Sequence, residues 1–105
     1  MYKTEKKELI ETIQDHIVTV VFTKVNGEQR TMRCSLQPSH LPEVASWDYI
    51  VNGHTPVKDL AEQDALAVWD IDVGDWRSFR FDSIISAEHI KHGKRFVFEP
   101  TEKDS

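Results

Sequence analysis

The sequence predicts a mainly-β domain: a small, strongly bent sheet or closed barrel of five strands, preceded by one short helix and interrupted by a long loop after the second strand. Three observations carry this. Alternating apolar and polar runs recur along the chain, most are separated by short glycine-containing turns, and only the first residues show a helical period. With 105 residues, 39% of them hydrophobic, the chain suffices for one core and is too short for two of ordinary size. Residues 1–100 are therefore read as one domain and 101–105 as a disordered tail.

The helix is placed at residues 3–14, where Leu9, Ile10 and Ile13 recur at offsets of three and four among charged residues, with Thr4 as the candidate cap. The run from His16 to Pro38 follows. Its β-branched and aromatic residues flank Asn26-Gly27, the signature of a tight hairpin turn with positive φ angles. In the second strand Met32, Cys34 and Leu36 share one face, so Cys34 reads as a small core residue. As the single cysteine it forms no internal disulfide.

Residues 37–65 form the long loop, with no sustained period and three of the four prolines. Within it Val57–Ala65 has the makings of a helical turn or two, and Trp47 and Tyr49 of "WDYIV" are expected to pin the loop to the body, the alternative being a binding lip. The third strand runs from Leu66 to a turn at Val73-Gly74-Asp75, and the fourth starts at Trp76 and continues through "SIISAEHI". A turn at His92-Gly93-Lys94 leads to the last strand, which ends at Pro100.

The net charge of −5 disfavours a general polyanion binder, whose affinity comes from lysine and arginine neutralising phosphates. The charge is uneven. Leu41 to Trp76 holds eight acids against Lys58, whereas Arg77 to Phe96 holds five bases against Asp82 and Glu88. No apolar run approaches the roughly 18 residues that span a bilayer, and the charged start is unlike a signal peptide. No membrane association is expected, and the cytoplasm is the expected compartment.

No phosphate-cradling glycine loop, nucleophile elbow or paired-cysteine motif is present. An enzyme, a metal and a cofactor are accordingly not expected. His89 and His92 have a ligand-like spacing, but on a strand leading into a turn they fall on opposite faces. Asp70 and Asp72 share a face close to a turn, where carboxylates are usually solvated. The stretch "LAVWDIDVGDWRSFRFDSI" is more informative. Arg77 and Arg80 are interleaved with Trp76, Phe79 and Phe81, a composition suited to stacking on bases and gripping phosphates. The candidate ligand-binding residues are Arg77, Arg80, Trp76, Trp69 and Ser78. An offset of three puts the two arginines on opposite faces of a regular strand, so convergence calls for a bulge or sharp bend. The competing arrangement pairs Arg77 with Asp72 or Asp75 and Arg80 with Asp82.

Together "VTVVFTKVNGEQRTMRCSLQP" and "LAVWDIDVGDWRSFRFDSI" resemble the WYL-like proteins, in particular a short phage and bacterial variant described as an Sm-like barrel related to the SH3 fold. The resemblance implies a five-stranded SH3-like or Sm-like barrel. In larger WYL domains the matching segment reads like Arg-Thr-Phe-Arg-Leu-Asp-Arg-Ile, with arginines associated with nucleic acid or nucleotide-like ligands. By position this carries over to Arg77, Ser78, Phe79, Arg80, Asp82 and Ile84. The last arginine of that segment is Ser83 here, and the family's Trp-Tyr falls at Asp64-Ala65, leaving Leu66 as the match. The implied function is a non-catalytic module that binds single-stranded nucleic acid or a nucleotide. The implied setting is an accessory protein of phage origin in the host cytoplasm. The alternative is an acidic protein that modulates a host protein through the loop 41–65. The Sm-like name also implies a homo-oligomer.

Overall fold

The computed structural model describes residues 1–41 and 57–101. Helix α1 spans Lys3–Asp15 and buries Leu9, Ile10 and Ile13, the three residues that its period singled out. It starts earlier than a Thr4 cap requires. Tyr2 is the residue at the cap, and Glu5 Oε1 in the first turn reaches back to accept the Tyr2 backbone N–H at 2.9 Å. At its far end α1 is tied to the sheet by Ser35, which is fully buried. The Ser35 hydroxyl lies within reach of the Ile13 and His16 carbonyls at 3.2 and 3.1 Å, and the Leu36 N–H donates to Ile13 at 2.9 Å.

Six strands follow: β1 (Val18–Thr23), β2 (Gln29–Ser35), β3 (Ala65–Asp70), β4 (Asp75–Arg80), β5 (Ile84–Lys91) and β6 (Lys94–Phe98). They form one antiparallel sheet in the order β4-β3-β2-β1-β5-β6. A 3₁₀ turn at Pro38–His40 and a short helix α2 at Val57–Leu60 precede β3. Among the described residues the count is six, where five were expected. The expected fourth strand is broken at Phe81–Ser83 by a 3₁₀ turn, where the Ser83 hydroxyl donates to the Arg80 carbonyl at 2.7 Å. Phe81 is buried there, and the chain then crosses to the far side of β1. Apolar alternation cannot distinguish one bent strand from two, because the turn buries an aromatic at the position a strand would have buried one.

The sheet curls strongly. In a flat sheet β1 and β4 would lie three strand spacings, about 14 Å, apart. Phe22 of β1 and Phe79 of β4 instead approach to 6.0 Å between ring centroids, inside a core that includes Val18, Val20, Met32, Leu66, Val68 and Phe81. A bulge in β5 aids the bend. Phe22 faces Ile84 and Val21 faces Ser86, so Ile85 is the extra residue and is left exposed.

The β1–β2 connection differs from the expected two-residue turn. The Gly27 N–H donates to Lys24 at 2.9 Å and the Lys24 N–H to Glu28 at 2.7 Å, giving a three-residue loop with Gly27 alone at positive φ, 90°. Asn26 accepts the Glu28 N–H through its side chain. The tight primed turn lies instead between β5 and β6, where His92 and Gly93 have φ of 51° and 75°.

Asp70 is the second correction. It is 2% exposed, accepts the N–H groups of Asp72 and Val73 at 3.0 and 3.1 Å, and lies 3.6 Å from Arg30 Nη2. Buried at the end of β3, it organises the β3–β4 turn. Asp70→Ala is expected to lower stability by about 2–4 kcal/mol in urea melts, because it orphans two donors and a half-buried guanidinium together.

At the other end of the sheet His89 stacks on His16, with ring centroids 4.7 Å apart. Burial, then the neighbouring His16 and Lys91, holds its pKa below the usual histidine value. The folded state thus binds fewer protons than the unfolded one. Stability is full above the unfolded histidine pKa of about 6.5 and is lost as pH falls through the depressed folded value. Thermal melts from about pH 7.5 down to about pH 5.5 should show a falling Tm. In His89→Gln that fall should be smaller.

Candidate functional site

Among the described residues strand β4 is one edge of the sheet. Its register with β3 is regular from Ala65↔Arg80 to Asp70↔Asp75, with no bulge. The Phe81 N–H donates to Asp64 at 3.0 Å, and strand alternation then turns the backbone groups of Phe79 and Arg77 toward β3. Those of Trp76, Ser78 and Arg80 face outward. Beside this edge lies an open groove of about 980 Å³, with the β1–β2 loop as its other wall.

Arg77 and Arg80 stay on opposite faces of β4, as an offset of three dictates, yet both line this groove. Without a bulge the two side chains keep their opposite faces, as expected, and border the groove from its two sides. Among the described residues β4 has no strand neighbour on its outer side, so side chains from both of its faces can border one groove that straddles it. Ser78 and Trp76 also line it. Trp69 is not among its lining residues. It lies opposite Trp76, edge to face at 5.5 Å, and supports that ring from behind.

Among the described residues the competing pairing of Arg77 with Asp72 or Asp75 and of Arg80 with Asp82 is not found. Asp72 lies 3.3 Å from Arg33 Nε, Asp82 lies 3.4 Å from the Met1 amine, and Asp75 accepts the Trp76 N–H at 2.8 Å. Among the described residues neither Arg77 nor Arg80 has an acidic partner within 4.0 Å, and both are exposed. Two cations that sequence reasoning missed also line the groove, Lys24 and Arg30. Each has an acid nearby: Glu28 at 3.8 Å from Lys24, and Asp70 from Arg30. Only the curl of the sheet brings the β1–β2 loop beside β4, so no local pattern could have revealed them.

Cys34 is fully buried, and desolvation, reinforced by the Asp70 carboxylate, pushes its thiol up to about 12. It is not poised as a nucleophile. Among the described residues no three histidine, cysteine or acidic side chains are grouped to hold a metal, and no helix is long and apolar enough to cross a membrane. Trp47, Tyr49, Glu43 and Asp48 of the acidic loop, and residues 102–105 of the tail, lie outside the described residues. Of the loop acids that are described, Glu62 is bound to Lys3 Nζ at 2.9 Å, which lowers its pKa.

No curated protein and no solved structure matches the chain. A family model described as WYL_2, Sm-like SH3 beta-barrel fold, matches residues 6–85, which include most of α1, the first four strands and the 3₁₀ turn at Phe81–Ser83. With most of the chain matched and a curled antiparallel sheet following helix α1, the chain belongs to the WYL_2 family of Sm-like SH3 β-barrels.

Proposed function

We propose that the chain is a non-catalytic binding module whose β4 groove takes a phosphate-bearing ligand, either single-stranded nucleic acid or a nucleotide. The observation that carries this reading is the pair Arg77 and Arg80, exposed on one groove and uncompensated by any described carboxylate. Guanidinium groups grip phosphate bidentately, and the outward N–H groups of Ser78 and Arg80 add donors along the same line. Trp76, 43% exposed, offers a ring for a base to stack on. The groove is local, so a chain of net charge −5 can still present a cationic strip.

The test is a binding screen of the full chain against labelled single strands, duplexes and cyclic nucleotides at two salt concentrations. Binding that weakens as salt rises is the expected result. No binding to any of them at either concentration would overturn the reading.

A further inference from the structure

The β5–β6 hairpin lies almost wholly beyond the residues that the family model matches, and one face of it is graded from core to tip. Ala87 faces Phe98 at the core, His89 faces Phe96 next, and Lys91 faces Lys94 at the tip. Strand alternation puts all six side chains on the same face.

Two features of this face bear on a ligand. Like charges placed directly opposite each other destabilise a ladder. Among the described residues neither Lys91 nor Lys94 has an acidic partner within 4.0 Å to offset this. The nearby Glu88 is held by Arg95, at 2.8 Å, and both belong to the opposite face. The second feature is a row of rings. His89 stacks between His16 at 4.7 Å and Phe96 at 5.2 Å, with interplanar angles of 21° and 14°. Phe96 ends the row on the edge strand β6 and is 46% exposed. A cavity of about 190 Å³ opens beside it, with Leu9, Thr12 and Phe98 among its walls.

We infer that this face is a binding site for a base-bearing phosphate, with the base stacked on Phe96 and the phosphate held between Lys91 and Lys94. An aromatic row that ends in an open ring accepts any base, because every base has a π-face. Two facing ammonium groups repel each other until an anion comes between them. Lys94 stands two residues from Phe96, about 7 Å along the strand, a reach suited to a nucleotide's sugar linking its base to its phosphate. Glu8 lines the neighbouring cavity and keeps the phosphate at the lysine end. The site is at the opposite edge of the sheet from β4 and does not depend on Arg77 or Arg80.

The experiment follows the ring resonances of Phe96 and His89 by NMR in the full chain during titration with thymidine monophosphate, thymidine and a short oligothymidylate. Ring-current shifts with the monophosphate and the oligonucleotide, and none with thymidine, are expected. Shifts with the oligonucleotide alone would assign the site to a polymer, still within the proposal. Phe96→Leu, with its amide spectrum otherwise retained, should weaken local binding about tenfold. The double change Lys91→Ser and Lys94→Ser should also weaken it, whereas Arg77→Ala with Arg80→Ala should leave these shifts in place. Rings that do not move with either phosphate ligand would overturn the site. So would undiminished affinity in Phe96→Leu.

Discussion

Phe81→Ala is expected to destabilise the protein by about 3–5 kcal/mol, the cost of emptying a fully buried aromatic site. Phe81 is 1% exposed and lies at the 3₁₀ turn where the chain leaves β4. Its ring packs edge to face on Phe79 at 6.1 Å, Lys6 Nζ lies 4.9 Å from its centroid, and its N–H donates to Asp64. Truncation removes the wedge between β4 and β5 and uncovers Phe79 from one side. For a domain of this size the loss corresponds to a Tm fall of roughly 15 °C or more, read by calorimetry. Phe81→Leu, which refills much of the volume, should cost less than half as much. Equal melts for Phe81→Ala and the parent chain would contradict the placement of this residue.

Replacing Arg77 and Arg80 together by alanine is expected to weaken phosphate-ligand binding about a hundredfold, roughly tenfold for each guanidinium–phosphate pairing removed. The same double variant should melt within about 1–2 °C of the parent, since surface changes away from buried networks usually cost little. The two readouts separate a ligand role from a structural one. Arginines held by carboxylates would show the reverse pattern, with lower Tm and unchanged affinity. Trp76→Ala should fall between these cases, because it removes a stacking surface and also the edge-to-face packing on Trp69.

The parts of this molecule that were legible in the sequence depend on near neighbours. Leu9, Ile10 and Ile13 announced α1 through their spacing, and Val18–Thr23 and Gln29–Ser35 announced a hairpin through alternation around Gly27. The break at Phe81 was not legible, because a buried aromatic satisfies a strand pattern and a 3₁₀ turn equally well. Asp70 looked like a solvated acid near a turn. Its burial follows from Arg30, forty residues away in sequence and beside it only after β2 pairs with β3. The candidate groove was half legible. Arg77, Arg80, Trp76 and Ser78 are near neighbours in sequence and all line it, while Lys24 and Arg30 join through curvature alone. Strand parity correctly placed Arg77 and Arg80 on opposite faces. The edge position of β4 among the described strands, which lets both reach one groove, is a property of the whole sheet order.

The central claim, that Arg77 and Arg80 face a phosphate ligand and not a carboxylate, is tested most directly by the salt dependence of oligothymidylate binding. The logarithm of affinity is measured against the logarithm of salt concentration for the parent chain and for the double variant. Each phosphate neutralised on a single strand contributes a slope of about −0.7, so the account predicts a slope shallower by about 1.4 when both arginines are gone. Identical slopes in the two proteins would contradict it.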